Sequence, residues 1–347
     1  RFPGDVAAGY LVCRSLYELN QTEEYLNIAK SLAKVAPQNP KVLEVLALGY
    51  FDAGDFVNAI AIGEKALSLK PSLKDAQSQV AFSYFNLGYP EIALEKLENL
   101  LSNYPNNYEA LQNKGVVLER LCRFEEAMQV YDFILANKPD SETTKFNKSM
   151  CLMLMGEYKK GFLLYESRYN RETNLLQNYR GDEPVWDGLE SIEGKRLLIH
   201  PEQGVGDTLM VSRFINLIEN LGGELIFAVP ANLRRVMSTF KTSAELITVG
   251  DDIQKVDFHL PLMSLPHITR EKWNKIPTSD SYLSVPSGSK KKWQSKLGET
   301  KSLRVGLVCR GNPRHLNDLN RSLNLADLIA HLPSGPEYHL LQKDINN

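Results

Sequence analysis

Two sets of residues have types and spacing suited to chemistry. The first is the turn Gly204-Val205-Gly206-Asp207, between the apolar run ending at His200 and a segment with apolar residues at helical spacing. Such a turn gathers free backbone N–H groups and a positive helix end at one spot, which suits an anion. It is not a dinucleotide fingerprint. The third glycine of G-x-G-x-x-G is replaced by Leu209, and the run 224–230 ends in Val229-Pro230 instead of an acid that would hold a ribose. No Lys-Ser/Thr pair follows the glycines, so a P-loop is excluded. Asp207 also fits as the N-cap of a helix beginning at Thr208. The second set is Gln79, Asn113 and Asn147, each 34 residues from the next. Side-chain amides carry a donor and an acceptor, so a column of them grips an extended peptide backbone without reading its sequence. The alternative is three ordinary polar residues at a solvated helix position.

The amides need a scaffold that repeats every 34 residues, and the prolines supply its register. Pro37, Pro71, Pro105 and Pro139 are each 34 apart. Ala47, Ala81 and Gly115 mark positions where helices approach closely, with Ala59, Ala93 and Ala127 as a second set. Gly54, Gly88 and Gly156 occupy the turns inside each helix pair, where a positive φ is often required. Cys122 takes that place once, with no evident compensation. Each proline stops a second helix, because it lacks an N–H and crowds the preceding turn. This pattern resembles the tetratricopeptide family over residues 6–168, as five helix pairs that bury their apolar faces by stacking into a superhelix. The first pair departs from the pattern at Tyr25. The fifth has Gly161 at the small-residue position and no closing proline. The amide column is similar to the asparagine ladder of O-linked N-acetylglucosamine transferases, which implies a concave face that binds protein.

From Leu175 the period changes. KRLLIH, ELIFAVP, ELITV and VDFHLPL read as short strands, alternating with the helical patterns TLMVSRFINLIENLGG and ANLRRVMSTF. That alternation predicts a parallel sheet with crossover helices. A second start appears at LRVGLV (303–308), followed by the loop CRGNPRHLNDLNRS, a helix from about Leu325 and the run EYHLLQ. The expected organisation is a repeat array over 1–170, a linker over 171–190, a Rossmann-like lobe over 191–286, a Lys- and Ser-rich linker over 287–302, and the start of a second lobe over 303–347.

The combination of PVWDG (184–188), the strand, EQGVGD and GLVCRGNPRHLNDLNRS resembles bacterial tetratricopeptide proteins with a C-terminal domain of the glycosyltransferase family 9, or heptosyltransferase, type. The resemblance implies a GT-B architecture of two Rossmann-like lobes, and an inverting, metal-independent transfer from a nucleotide sugar to a protein or glycan acceptor. It implies Asp207 as the base that activates the acceptor hydroxyl. Gly204 and Gly206 would line the substrate site. Arg310, Arg314, His315 and Arg321, all within twelve residues, and the neutral donors Asn312 and Ser322 would face the leaving diphosphate. Cys309-Arg310 departs from the family's usual aromatic-plus-small pair. The family's later Asp-Thr…His-Leu segment would fall beyond Asn347, which implies a truncated second lobe. No cofactor is implied beyond the nucleotide sugar as substrate. With no D-x-D motif, no metal is expected. Glu202 reads as a structural partner, His200 as a packed core histidine, Trp186 as packing of the linker onto the sheet, and Lys290-Lys291-Lys292 as a solvated face. The competing reading is a protein-interaction scaffold or assembly subunit whose transferase-like part is inactive.

Composition narrows the classes further. Of 347 residues, 40 are Lys or Arg and 42 are Asp or Glu, a net charge of -2, which argues against nucleic acid as partner. No apolar run approaches the ~20 residues that cross a bilayer, and the first ten lack a signal-peptide core. The chain lacks a starting Met, which predicts a fragment or a trimmed chain. Cys13, Cys122, Cys151 and Cys309 form no C-x-x-C pair and are read as thiols in a reducing cytoplasm.

Overall fold

A computed structural model of the chain describes residues 6–19, 21–170, 181–277, 281–311, 318 and 321–342. It divides into two compact units. The first holds residues 1–137 and 300–347, the second 138–299.

In the first unit eight helices form four antiparallel pairs: α1 (Val6–Glu18) with α2 (Thr22–Val35), α3 (Pro40–Asp52) with α4 (Phe56–Leu69), α5 (Lys74–Asn86) with α6 (Pro90–Asn103), and α7 (Tyr108–Arg120) with α8 (Phe124–Asn137). Each second helix ends two residues before one of the spaced prolines. Ala47, Ala81, Ala59, Ala93 and Ala127 are all buried. At Gly115 a Cβ would stand 2.4 Å from the ring of the buried Tyr131, so this position admits no side chain without displacing it. The turn residues inside the pairs have φ of 75° at Gly54 and 87° at Gly88, and Cys122 takes the same left-handed conformation at 57°. A side chain costs about 1–2 kcal/mol there. Cys122→Gly is therefore expected to raise stability by about 1 kcal/mol, read as a higher urea midpoint in helical circular dichroism.

The second unit opens with the fifth pair, α9 (Glu142–Leu154) and α10 (Tyr158–Tyr165), followed by a 3-10 segment over Glu166–Asn170. Then come β1 (Arg196–His200), α11 (Val205–Val211), β2 (Glu224–Val229), α12 (Arg234–Met237), β3 (Glu245–Thr248), β4 (Phe258–Pro261), α13 (Leu265–Ile268) and α14 (Ser289–Leu297). The four strands form one parallel sheet in the order β3-β2-β1-β4. The chain runs outward from β1 through β2 to β3, then crosses to the other side of β1 for β4. The topological switch point therefore lies between β1 and β4, at whose carboxyl ends open sheets leave a crevice. Leu197 and Ile199 of β1 face the larger core, with Leu225 and Phe227 of β2, while Leu198 faces a smaller cluster with Ile226, Ala228 and Val256. Phe162 and Tyr165 of α10 join the larger core, Phe162 edge-on to Phe214 and Trp273. The fifth helix pair is thus built into the sheet's core. Residues 300–347, which return to the first unit, contribute β5 (Arg304–Leu307), α15 (Leu325–Ala330) and β6 (Glu337–Leu340), with the two strands paired in parallel.

Two sequence expectations change. The long helix expected after the glycine turn is α-helical only to Val211 and continues as 3-10 turns over Ser212–Leu217 and Glu219–Leu221. Ser212 Oγ donates to Leu209 O at 2.9 Å, Tyr282 OH donates to the same oxygen at 3.0 Å, and Arg213 Nε donates to Met210 O at 2.9 Å. These donors compete for the carbonyls an α-helix would use. The Lys-rich stretch expected as a linker contains the nine-residue helix α14. Of the other expected linker, residues 171–180 lie outside the described residues. Val185 bridges to His259 beside β4, and Trp186 N donates to His259 O at 2.9 Å.

Candidate functional site

The first helices of pairs two to four present side chains across one continuous row. Phe51 of α3 meets Phe82 of α5 with ring centroids 6.1 Å apart, Phe82 stacks on Phe85 at 5.0 Å, and the Arg120 guanidinium of α7 lies 5.4 Å from the Phe85 ring. Phe56 extends the row at 5.6 Å from Phe51. All four phenylalanines are only partly buried. One turn before Phe82 stands Gln79, whose Oε1 is buried with no hydrogen-bond partner among the described residues. On α3, Glu44 gives one oxygen to Lys41 Nζ at 2.6 Å, and its Oε1 is likewise buried and unpartnered among the described residues. An unpaired buried acceptor costs about 1–3 kcal/mol, so such atoms mark places where a donor is missing.

The three amides of the sequence reading do not behave alike. Gln79 keeps its free acceptor. Asn113 spends its Nδ2 on Ser78 Oγ at 3.1 Å, a bond that ties α7 to α5. Asn147 stands half-buried on α9, in the second unit.

Several carboxyls on these helices are costly to ionise. Asp52 is exposed as a whole residue, but packing around its carboxyl pushes it up to about 6. Glu109 is likewise exposed as a residue, and packing around its carboxyl, aided by Asp75, raises it. Burial pushes Glu119 up to about 7, although Tyr131 OH donates to it at 2.6 Å. The folded pKa of Glu119 exceeds the unfolded one, so its unfavourable ionisation is absent at acid pH, grows as pH rises, and is complete above about 7. Glu119→Gln keeps an acceptor for Tyr131. It should leave stability nearly unchanged in acid and raise it by about 2 kcal/mol above neutrality, measured by denaturant titration across pH.

In the second unit the carboxyl ends of β1 and β4 carry a buried ionic cluster. Arg168, fully buried, donates to Glu202 Oε1 at 2.7 Å and Oε2 at 3.2 Å, to Glu166 Oε1 at 2.6 Å, to Ser264 Oγ at 2.8 Å and to Tyr165 O at 3.2 Å, and it also bonds the Tyr169 hydroxyl. Ser264 Oγ lies 2.9 Å from Glu166 Oε2. Burial works against the Arg168 charge, but Glu202 and Glu166 outweigh it and hold its pKa above the ordinary value. Burial lifts Glu202, and Arg168 with the Met263 N–H opposes that. Glu202 follows β1 and Ser264 follows β4, so the Arg168 guanidinium fills the switch-point crevice. Nothing in composition marked Arg168. Its spacing after Phe162 and Tyr165, on the same helical face, is the signal that was available.

Beside this cluster, Gly204 caps α11 and its N–H donates to Asp207 Oδ2 at 3.1 Å. The helix starts at Val205, so Asp207 sits in its first turn instead of preceding it. Gln203 Nε2 donates to the Tyr165 hydroxyl, whose pKa burial raises, with the Glu202 and Asp207 charges adding to the effect. Gly204 and Gly206 are exposed, and Asp207 is half-buried. His200 Nε2 lies 3.0 Å from His259 Nδ1, and burial beside His259 pushes His200 down to about 4. Burial lowers His259 as well, with Glu183 opposing, so burial favours the neutral form of both rings.

Among the arginine-loop residues, Asn312, Arg314 and His315 lie outside the described residues. Ser322 Oγ donates to Asp318 Oδ1 at 2.7 Å and accepts from Gly311 N at 3.1 Å. Arg310 N donates to Gln342 Oε1 at 3.1 Å. The Arg310 and Arg321 residues are exposed and belong to the first unit, whereas Asp207 belongs to the second. Among the described residues no cluster of metal-ligating side chains occurs, and no helix is long and apolar enough to cross a membrane.

A family model described as tetratricopeptide repeat matches residues 82–142. Among curated proteins, the chain is 25% identical over 234 residues to protein FlbA of Caulobacter vibrioides, covering 67% of this chain and 34% of FlbA. It is 25% identical over 132 residues to ER membrane protein complex subunit 2-B of Xenopus laevis, covering 38% of this chain and 42% of that protein. The chain thus spans well under half the length of these relatives. Among solved structures, TTC0263, a thermophilic TPR protein of Thermus thermophilus, is similar at 19% identity with a TM-score of 0.45, covering 48% of this chain and 91% of that one. Residues 82–142 thus match the tetratricopeptide repeat, the flanking segments add further helix pairs, and the C-terminal part carries a small parallel sheet.

Proposed function

We propose that this chain is an interaction scaffold whose first helices α3, α5 and α7 grip an extended, basic segment of a partner protein. The observation that carries this reading is the buried, unpartnered Gln79 Oε1 beside the half-exposed Phe82–Phe85 stack. A change of Gln79 rotamer toward the rings would bring that oxygen to a peptide N–H laid along α5, and the peptide's neighbouring side chains would cover the rings. The raised carboxyls of Asp52, Glu109 and the half-buried Glu119 favour Lys or Arg in the ligand, since a nearby cation lowers the cost of ionising them. The Xenopus laevis relative is a subunit of a protein complex by name, which agrees with a role in assembly. The test is an array of short unstructured peptides probed with the whole chain. Binding should concentrate on sequences with Lys or Arg flanking apolar residues and should fall in Gln79→Leu. Binders indifferent to charge and to that substitution would remove the reading.

A second reading is favoured by one observation, the Gly204–Asp207 turn at the carboxyl end of β1. In it the sheet is a Rossmann-like lobe of a GT-B transferase, Asp207 is the base, and a nucleotide sugar is the donor. Two contacts weigh against an open site there. Asp207 already accepts the Gly204 N–H, and Arg168 fills the switch-point crevice. Calorimetry with nucleoside diphosphates and an assay of donor hydrolysis decide it. Binding together with turnover lost in Asp207→Asn supports the transferase. No heat at millimolar ligand removes it.

A further inference from the structure

We propose that α14 is an interfacial foot that docks the protein on an anionic lipid bilayer. The helix reads SKKKWQSKL, four lysines in nine residues, and no acidic residue occurs from Ser281 to Gly298. Every residue from Lys290 to Thr300 is exposed. Trp293 is 55% exposed and Leu297 39%, and their i, i+4 spacing places them on one side of the helix. Lys290 and Lys296 fall on either flank of that stripe, and Lys296 Nζ lies 5.2 Å from the Trp293 ring centroid. Just before the helix, Val285 is 65% exposed.

A lysine run alone would be a solvated face. An exposed indole beside a partly exposed leucine, set between lysines, is a different object. The other two tryptophans, Trp186 and Trp273, are buried, so this molecule leaves only one of its three indoles in water. Tryptophan settles at headgroup depth, where its ring is in apolar surroundings and its N–H stays wet. Lysine stems lie along the apolar boundary while the ammonium groups reach the phosphates. With a net charge of only -2 for the whole chain, the attraction belongs to this segment. Lysine suits it, because a diffuse layer of headgroups needs point charges and not the fork geometry of arginine. The helix is held at its start, where Ser289 is buried and its Oγ accepts from Arg235 Nη2, and it is bounded by Gly288 at φ 76° and Gly298 at φ 66°.

The test uses the whole chain with vesicles of phosphatidylcholine alone or mixed with phosphatidylglycerol, followed by co-sedimentation and tryptophan emission. The proposal expects pelleting and a blue-shifted emission with the anionic vesicles only, both fading as salt rises. Trp293→Phe should keep the pelleting and lose the shift, which assigns the signal to this ring. Reversing three charges in K290E/K291E/K292E should weaken binding by roughly a hundredfold, with the emission of the buried Trp186 and Trp273 unchanged to show that the fold persists. No pelleting on anionic vesicles at low salt, pelleting equal on neutral vesicles, or binding indifferent to the charge reversal overturns the proposal. So does capture by an acidic polypeptide such as polyglutamate while vesicles leave the protein unbound.

Discussion

Arg168→Met lowers the stability of the second unit by about 3–5 kcal/mol. The guanidinium is fully buried and holds Glu202, itself fully buried at its side chain, together with Glu166, Ser264 and the Tyr165 carbonyl. Removing the cation leaves the Glu202 carboxylate in a closed site with no counter-charge. Removing both charges is a different matter. The double substitution R168M/E202L takes away the uncompensated carboxylate as well, and it should recover most of the loss. The readout is direct, because all three tryptophans lie in the second unit and none in the first. Urea titration followed by their emission reports this unit, and far-ultraviolet circular dichroism reports the repeat helices. If Arg168→Met leaves the emission midpoint in place, the cluster is not what joins α10 to the ends of β1 and β4.

Trp186→Ala is the second large effect, about 3–5 kcal/mol by loss of buried ring volume. Trp186 is 2% exposed, sits in the main core, and its Nε1 donates to Glu190 O at 2.8 Å. Its backbone N–H and the Pro184 carbonyl exchange hydrogen bonds with His259, which extends the sheet beside β4. Trp186→Phe keeps most of the ring and loses the indole donor, so about 1 kcal/mol is expected. The emission of Trp273 serves as the probe in both variants. Equal losses for Ala and Phe would assign the role to the hydrogen bond instead of the packing.

Much of this fold was legible because its signals are local and repeat. Prolines at a fixed period, with small residues in phase, mark where helices stop and where they touch. Four short apolar runs became β1 to β4 because each lies between turn residues and is too short for a buried helix. Cys122 shows the limit of residue identity. The turn there is left-handed, as at Gly54 and Gly88, although the residue is a cysteine. What the sequence did not carry depends on side chains meeting from distant segments. Arg168 meets Glu202 and Ser264 across 34 and 96 residues, and no spacing rule links them. The same holds for the amides, since Asn113 looks like Gln79 in the sequence and differs by its bond to Ser78. Asp207 was readable as a carboxylate at a strand-to-helix turn. Whether it serves the helix or a substrate is decided by its environment, where one oxygen already accepts the Gly204 N–H.

The proposed basic peptide would lie on the first helices of the repeats, over the Phe82–Phe85 stack. Ring proton resonances of selectively labelled phenylalanines, followed while a bound array peptide is titrated in, test it most directly. Shifts confined to Phe51, Phe56, Phe82 and Phe85 are expected, with affinity lost in Phe85→Glu and Gln79→Leu. Shifts at Phe133 on α8, which is 45% exposed, with those four rings unmoved, would contradict it.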